Sequence, residues 1–187
     1  MRIKFFSALL LMVLGACSVA EIEETVPPQE TVTQPGTVTP PKTELSATLQ
    51  VPAEIPDDGK VVLKFTLQNN TDVDLYVLQW FTPFEGLGGD IFRVTHAGRL
   101  IPYQGPLAER SEPTPEAYLW LGPKDSASVE VDLTRAYDFS QAGEYSIEFR
   151  SPRVSHVARS EDDMAQTMDE LGPVNIPSNQ VTVVIND

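Results

Sequence analysis

A chain of 187 residues, 41% hydrophobic and 21% charged, has room for one globular domain with appendages and not for two large domains. Acidic residues outnumber basic ones 27 to 13, a formal charge of −14 that argues against nucleic acid or anionic lipid headgroups as partners. One Cys and two His exclude an internal disulfide and a Cys-rich zinc site, and leave little for histidine-based metal or triad chemistry.

The chain opens with Arg2 and Lys4, then an apolar run from Phe5 to Ala16. Twelve residues are too few to span a bilayer as a helix, which needs about 20, so residues 1–16 read as a secretory signal peptide. Leu14-Gly15-Ala16-Cys17 resembles the lipobox of bacterial lipoproteins, which implies cleavage before Cys17 and lipidation of its sulfur. The alternative is an ordinary signal peptide followed by an incidental Cys. A bare thiol would be a liability in an oxidising compartment, whereas a lipidated one is an anchor. Ser18 after the Cys implies the outer membrane, facing the periplasm or the cell surface. Cleavage would remove Arg2 and Lys4 and leave 27 acidic against 11 basic residues, a charge of −16.

Residues 17–43 carry the anchor and a linker. Between Glu21 and Thr43 there are five Pro, six Thr and almost no large apolar side chains, so nothing there can build a core. Semi-extended Pro-rich chain of this length reaches up to roughly 70 Å.

Residues 44–187 read as one all-β domain of short strands with one apolar face each. Leu45, Ala47, Leu49 and Val51 alternate in a first strand, and Val61, Leu63, Phe65 and Leu67 in a second, with a turn at Asp57-Asp58-Gly59. Asn69 to Asp72 turn the chain into Leu75–Phe81, apolar on both faces and expected at the centre of a sheet. Ile91–Thr95 and Leu100–Tyr103 pair across a hairpin at His96–Arg99. Tyr118–Leu121 leads through Gly122–Asp125 to Val129, Val131 and Leu133; Tyr145, Ile147 and Phe149 and then Val181, Val183 and Ile185 complete the pattern. Eight or nine strands in this length predict an immunoglobulin-like antiparallel β-sandwich. Gly143 two residues before Tyr145 predicts a tyrosine corner, and Trp80 is expected as the core indole. One short helix is expected near the C-terminus, with Ser160 as N-cap, Met164, Met168 and Leu171 on one face, and Gly172-Pro173 as its stop. Its Met face either covers the core or meets a partner.

The stretches P-A-E-I-P-D-D-G-K-V-V-L-K-F-T-L-Q-N-N-T (52–71), G-D-I-F-R-V-T-H-A-G-R-L-I-P-Y-Q-G (89–105), A-Y-L-W-L-G-P-K-D-S-A-S-V-E-V-D-L (117–133) and A-Y-D-F-S-Q-A-G-E-Y (136–145) resemble the amino-terminal β-domain of deuterolysin-type metalloendopeptidases. In that family the β-domain precedes a zinc catalytic domain and in some members acts as a removable propeptide. The zinc motif, His-Glu-x-x-His, has no counterpart: His96 is followed by Ala97-Gly98-Arg99-Leu100 and His156 by Val157-Ala158-Arg159-Ser160. The resemblance therefore implies a β-domain without the enzyme, with no catalytic residue, metal ligand or cofactor.

Individual residues carry weaker signals. His96 reads as a solvated turn residue rather than a ligand. Asn69, Asn70, Asp72 and Asp74 could supply oxygens to calcium, but such residues more often serve turns through their own side chains. The loop Thr82–Asp90 holds three Gly and two large apolar residues, Phe84 and Leu87, which are either anchors for a protein partner or a lid on the sandwich. Leu107–Pro115 is a second long loop expected beside it. The reading is a lipid-anchored envelope protein that binds a protein partner, with an extracytoplasmic peptidase as the candidate it inhibits or assists, and no small-molecule ligand. The alternatives are a diverged or truncated zinc metalloendopeptidase-family protein and a purely structural envelope lipoprotein.

Overall fold

In the computed structural model the residues described are 43–52, 55, 59–150 and 152–186. The signal peptide, Cys17, most of the linker, and Asp57 and Asp58 of the first turn lie outside them. The strands are β1 (Leu45–Gln50), β2 (Val62–Asn69), β3 (Leu75–Leu78), β4 (Phe92–His96), β5 (Arg99–Ile101), β6 (Tyr118–Leu121), β7 (Ser126–Asp132), β8 (Gly143–Phe149), β9 (Val157–Ala158) and β10 (Gln180–Ile185). They form three sheets with orders β1-β2-β7, β10-β8-β4-β5 and β6-β3-β9, antiparallel throughout. This is the all-β sandwich that the alternation predicts, with the two-residue β9 as a strand too short to show a period.

The alternating apolar residues put the core between the first two sheets. Leu63, Phe65 and Leu67 of β2 face Tyr145, Ile147 and Phe149 of β8, all buried. The Phe65 ring lies 5.1 Å from that of Phe149, which in turn meets Phe92 at 6.1 Å. Full burial of such a ring contributes about 2–3 kcal/mol, so these three side chains hold the two layers together. The outer edge of β1 is covered rather than open. The Ala47 N–H donates to the Pro177 carbonyl (2.9 Å), and the Asn179 side chain accepts from the Leu49 N–H (2.7 Å) and donates to its carbonyl (3.0 Å).

Asn69 sits where the β2–β7 ladder gives way to the β3–β6 ladder. Its side chain is fully buried. The Nδ2 group reaches the carbonyls of Val73 (2.8 Å), Gly122 (2.8 Å) and Leu121 (3.1 Å), and Oδ1 accepts from Thr71 N–H (2.8 Å) and hydroxyl (2.7 Å). Its oxygen thus shapes the turn, and Asp72 pairs with Lys124 at 2.8 Å.

The tyrosine corner is present: the Tyr145 hydroxyl donates to the Gln141 carbonyl (2.9 Å) and accepts from its N–H (3.2 Å). His96 corrects its reading as a solvated turn residue. It ends β4, stacks on Tyr145 at 4.5 Å and contacts the Ala142 carbonyl through Nε2 at 3.2 Å. Gly143 allows this approach, because its φ is +125° and a Cβ there would meet His96 Nε2 at 2.8 Å. The hairpin residues are Ala97 and Gly98, both at positive φ.

Two other expectations need correction. The segment 160–171 is not one helix but two 3₁₀ turns, Glu161–Asp163 and Met168–Glu170, separated by Met164 in an extended conformation. Local side-chain bonds compete with one helix of marginal length: the Ser160 hydroxyl donates to the Asp163 carboxylate (2.7 Å), and the Glu170 carboxylate accepts from Thr167 N–H (3.3 Å). Met164 is consequently buried while Met168 is 45% exposed, and they share no face. Trp80 lies beyond β3 rather than on it, and packs with Leu78, Tyr118, Ala158 and Met164 in a smaller cluster apart from the main core.

Candidate protein-binding surface

The loop 79–90 is built by local bonds. Thr82, fully buried, donates its hydroxyl to the Gln79 carbonyl (2.5 Å) and caps the 3₁₀ turn Pro83–Glu85 by accepting from Phe84 N–H (3.3 Å). Phe81 is held at a left-handed φ of +58°, a conformation that costs a non-glycine residue about 1 kcal/mol. The Glu85 carboxylate helps to fix it by accepting from Phe81 N–H at 2.8 Å. The same carboxylate oxygen binds the Arg110 guanidinium, with both side chains largely covered. Burial pushes the Glu85 carboxyl up from its ordinary pKa, against the opposing pull of the Phe81 N–H and of Arg110. Arg110 also lies over Trp80 (5.3 Å) and Phe81 (5.5 Å), where the ring faces attract its charge.

Arg110 brings the second loop beside the first. The Ala108 N–H donates to the Gly88 carbonyl (2.8 Å), a close approach in which a Cβ at Gly88 would lie 3.1 Å from that of Ala108 and push the loops apart by a few tenths of an ångström. The Tyr103 hydroxyl lies between the carbonyls of Leu87 (2.7 Å) and Pro106 (2.5 Å). Burial raises the Tyr103 phenol above its ordinary pKa, with the Asp90 carboxylate adding to the shift. Tyr137 packs edge-on against Tyr103 at 5.5 Å and donates to the Phe92 carbonyl (3.0 Å). Burial and Asp90 drive its phenol still further up.

Phe84 and Leu87 both fold inward. Phe84 meets Phe65 edge-to-face at 5.8 Å, and Leu87 packs partly buried against the same core. Phe84 thus serves as a lid, whereas Leu87 also lines a groove of about 550 Å³ with Gly86, Pro106, Val131, Asp132 and Arg135. This groove adjoins β7, an edge strand of its sheet. The bonds Leu133 N–H to Val61 O and Asn69 N–H to Asp125 O bracket the β2–β7 ladder. With the antiparallel alternation, Ser128, Glu130 and Asp132 therefore turn their N–H and C=O groups away from β2, to an edge that the Pro83–Glu85 turn flanks in part and that takes no backbone bond among the described residues. Leu107, next to Pro106, is 77% exposed. A groove that sets Leu87, Pro106 and Val131 beside the charged Glu130, Asp132 and Arg135, next to a strand edge with no backbone partner among the described residues and a protruding Leu, can accept an extended segment of another protein through main-chain bonds and one apolar side chain.

The remaining candidates have structural work. His156 Nδ1 lies 3.0 Å from the Tyr118 hydroxyl, which accepts from Ala165 N–H at 3.1 Å. The two His thus sit in separate contacts, and no group of three His, Cys, Asp or Glu converges among the described residues. Cys17 lies outside the described residues. Sequence reading missed the Glu85–Arg110 pair and the open edge of β7. Twenty-five residues separate the pair with no periodic relation, and an edge strand alternates just as a central one does.

No family model matches the sequence. Over 104 residues the chain is 30% identical to a protein named extracellular protease from Aeromonas hydrophila, covering 56% of this chain and 29% of that protein. Over 91 residues it is 30% identical to a neutral protease 2 homolog of Uncinocarpus reesii and 29% identical to one of Arthroderma gypseum. Those two matches cover 48% of this chain and 26% and 25% of the relatives. The chain is thus similar over about half its length to proteins named proteases, and spans 25–29% of the length of these relatives.

Proposed function

We propose that this chain is a non-catalytic lipoprotein, anchored to the cell envelope through Cys17, whose β-sandwich binds an extracytoplasmic peptidase as an inhibitor or a propeptide-like helper. The observation that carries the reading is the similarity to three proteins named proteases, over 91–104 residues of each. A β-domain related to part of a protease has a natural partner in a protease. Two features of the chain support the non-catalytic half. Its two His are committed to Tyr145 and Tyr118, and neither stands in a His-Glu-x-x-His pair. The groove formed by Leu87, Pro106 and the open edge of β7, with Leu107 beside it, suits an extended peptide segment of the partner.

The test pairs a binding with an activity measurement. The purified chain, immobilised, should retain a secreted metallopeptidase of the same cell, and Leu107→Asp should weaken retention about tenfold by placing a charge at an apolar contact. The chain alone should hydrolyse no casein. Casein hydrolysis accompanied by near-stoichiometric zinc would overturn the reading in favour of a diverged metallopeptidase.

A further inference from the structure

A second cavity, of about 740 Å³, lies at one end of the β10-β8-β4-β5 sheet. Its walls carry Arg93 from β4, Glu148 from β8, Arg150 just beyond β8, Arg153, Gln180 from β10 and Leu100 from β5. In a chain with 27 acidic and 13 basic residues, three guanidiniums around one cavity with a single lining carboxylate is a marked local reversal of charge.

The cations are only partly neutralised. Arg93 meets Glu148 at 3.4 Å, a long contact between exposed side chains that contributes little. Arg150 pairs through Nη1 with Asp90 at 3.1 Å, while its Nε–H is buried without an acceptor among the described residues. Arg153 has no ion pair through its guanidinium among the described residues. The Arg93 and Arg153 guanidiniums reach the surface and their forked donors match a carboxylate, while the buried Arg150 Nε adds positive charge without an accessible donor. Leu100, 53% exposed at the rim, adds an apolar contact.

We propose that this groove binds an extended peptide segment bearing acidic side chains around an apolar residue. Three cations, Arg93 from one stretch of chain and Arg150 and Arg153 from another, match several carboxylates along a segment better than one terminal carboxylate. The volume falls within the range, about 300–1,000 Å³, that encloses a short peptide or a ligand of similar size. The site is separate from the groove at β7 and does not depend on the partner proposed there. Because the whole chain is strongly negative, an acidic segment is repelled at long range, so salt should speed its association while also speeding its release.

The test uses the full chain in nonionic detergent and a dye-labelled hexapeptide alternating Glu and Leu, acetylated and amidated so that only side chains carry charge. Fluorescence anisotropy should show saturable binding tighter than about 1 mM. Replacing the Glu of the peptide by Gln should weaken binding about tenfold, and Arg153→Gln in the protein about fivefold or more. The thermal midpoint of Arg153→Gln should stay at that of the parent, and Arg93→Gln provides a second variant of an exposed side chain. Three results would each overturn the proposal: no saturable binding, equal binding of the Glu and Gln peptides, or unchanged affinity in both Arg variants. A Gln peptide with a free C-terminus that binds as tightly as the blocked Glu peptide would refute the assignment to side-chain carboxylates.

Discussion

Replacing Asn69 by Ala should be among the most destabilising single changes in the domain. Asn69 is fully buried, and its two amide hydrogens serve three carbonyls at 2.8, 2.8 and 3.1 Å. Alanine would strand at least two buried acceptors, at about 1–3 kcal/mol each, and would free Thr71 from Oδ1, at about 1 kcal/mol. The expected loss is about 3–7 kcal/mol, a fall of roughly 10–25 °C in midpoint for a domain of this size. Urea unfolding followed by tryptophan emission reads it directly, since the 54%-exposed Trp120 lies on β6 beside the joint that Asn69 holds. Asn70→Ala is the control. Asn70 is half-buried and its side-chain amide donates, among the described residues, to the Thr43 carbonyl and the Ser46 hydroxyl, both at 3.1 Å, so it should cost about 1 kcal/mol. If Asn69→Ala costs no more than Asn70→Ala, the amide is not the hinge pin between the two ladders.

Tyr145→Phe removes the corner bond to the Gln141 carbonyl and should cost about 1–2 kcal/mol in the same assay while leaving the ring stacks on His96 and Phe139 in place. Tyr103, Tyr118 and Tyr137 are all raised above the ordinary phenol value of 10.0, chiefly by burial, so absorbance titration at the phenolate band should show them lagging. Their folded pKa values exceed the unfolded one, so the stability tied to keeping these protons is complete below pH 10.0 and is lost as pH rises through the folded values. All three titrating at 10.0 in the folded protein would contradict the burial that raises them. Cys17→Ser should move the protein from the membrane fraction to the soluble fraction, and unchanged partition would dismiss the lipid anchor.

The strands were legible because each buries one face, and Leu45, Ala47 and Leu49 or Leu63, Phe65 and Leu67 mark that face at a period of two. The corner was legible because Gly143 and Tyr145 are constrained together, the first by the approach of His96 and the second by its bond to residue 141. What escaped has a common cause. Met164, Met168 and Leu171 match a helical period by spacing alone, and nothing in that spacing shows that the chain extends at Met164 and restarts as a second turn at Met168. Trp80 continues an apolar run, yet β3 ends at Leu78 and the chain turns through the left-handed Phe81, a turn that Glu85 four residues on helps to hold. The binding grooves were hidden further, because Leu87 with Val131, and Arg93 with Arg153, meet only once distant segments pack.

The most direct test of the peptidase-binding account is to measure the activity of a purified secreted metallopeptidase of the same cell as this chain is titrated into it. The account predicts a saturable change in rate, with Leu107→Asp shifting the midpoint to about tenfold higher concentration. A rate that stays flat through an excess of the chain, or one that responds equally to the parent and to Leu107→Asp, would contradict it.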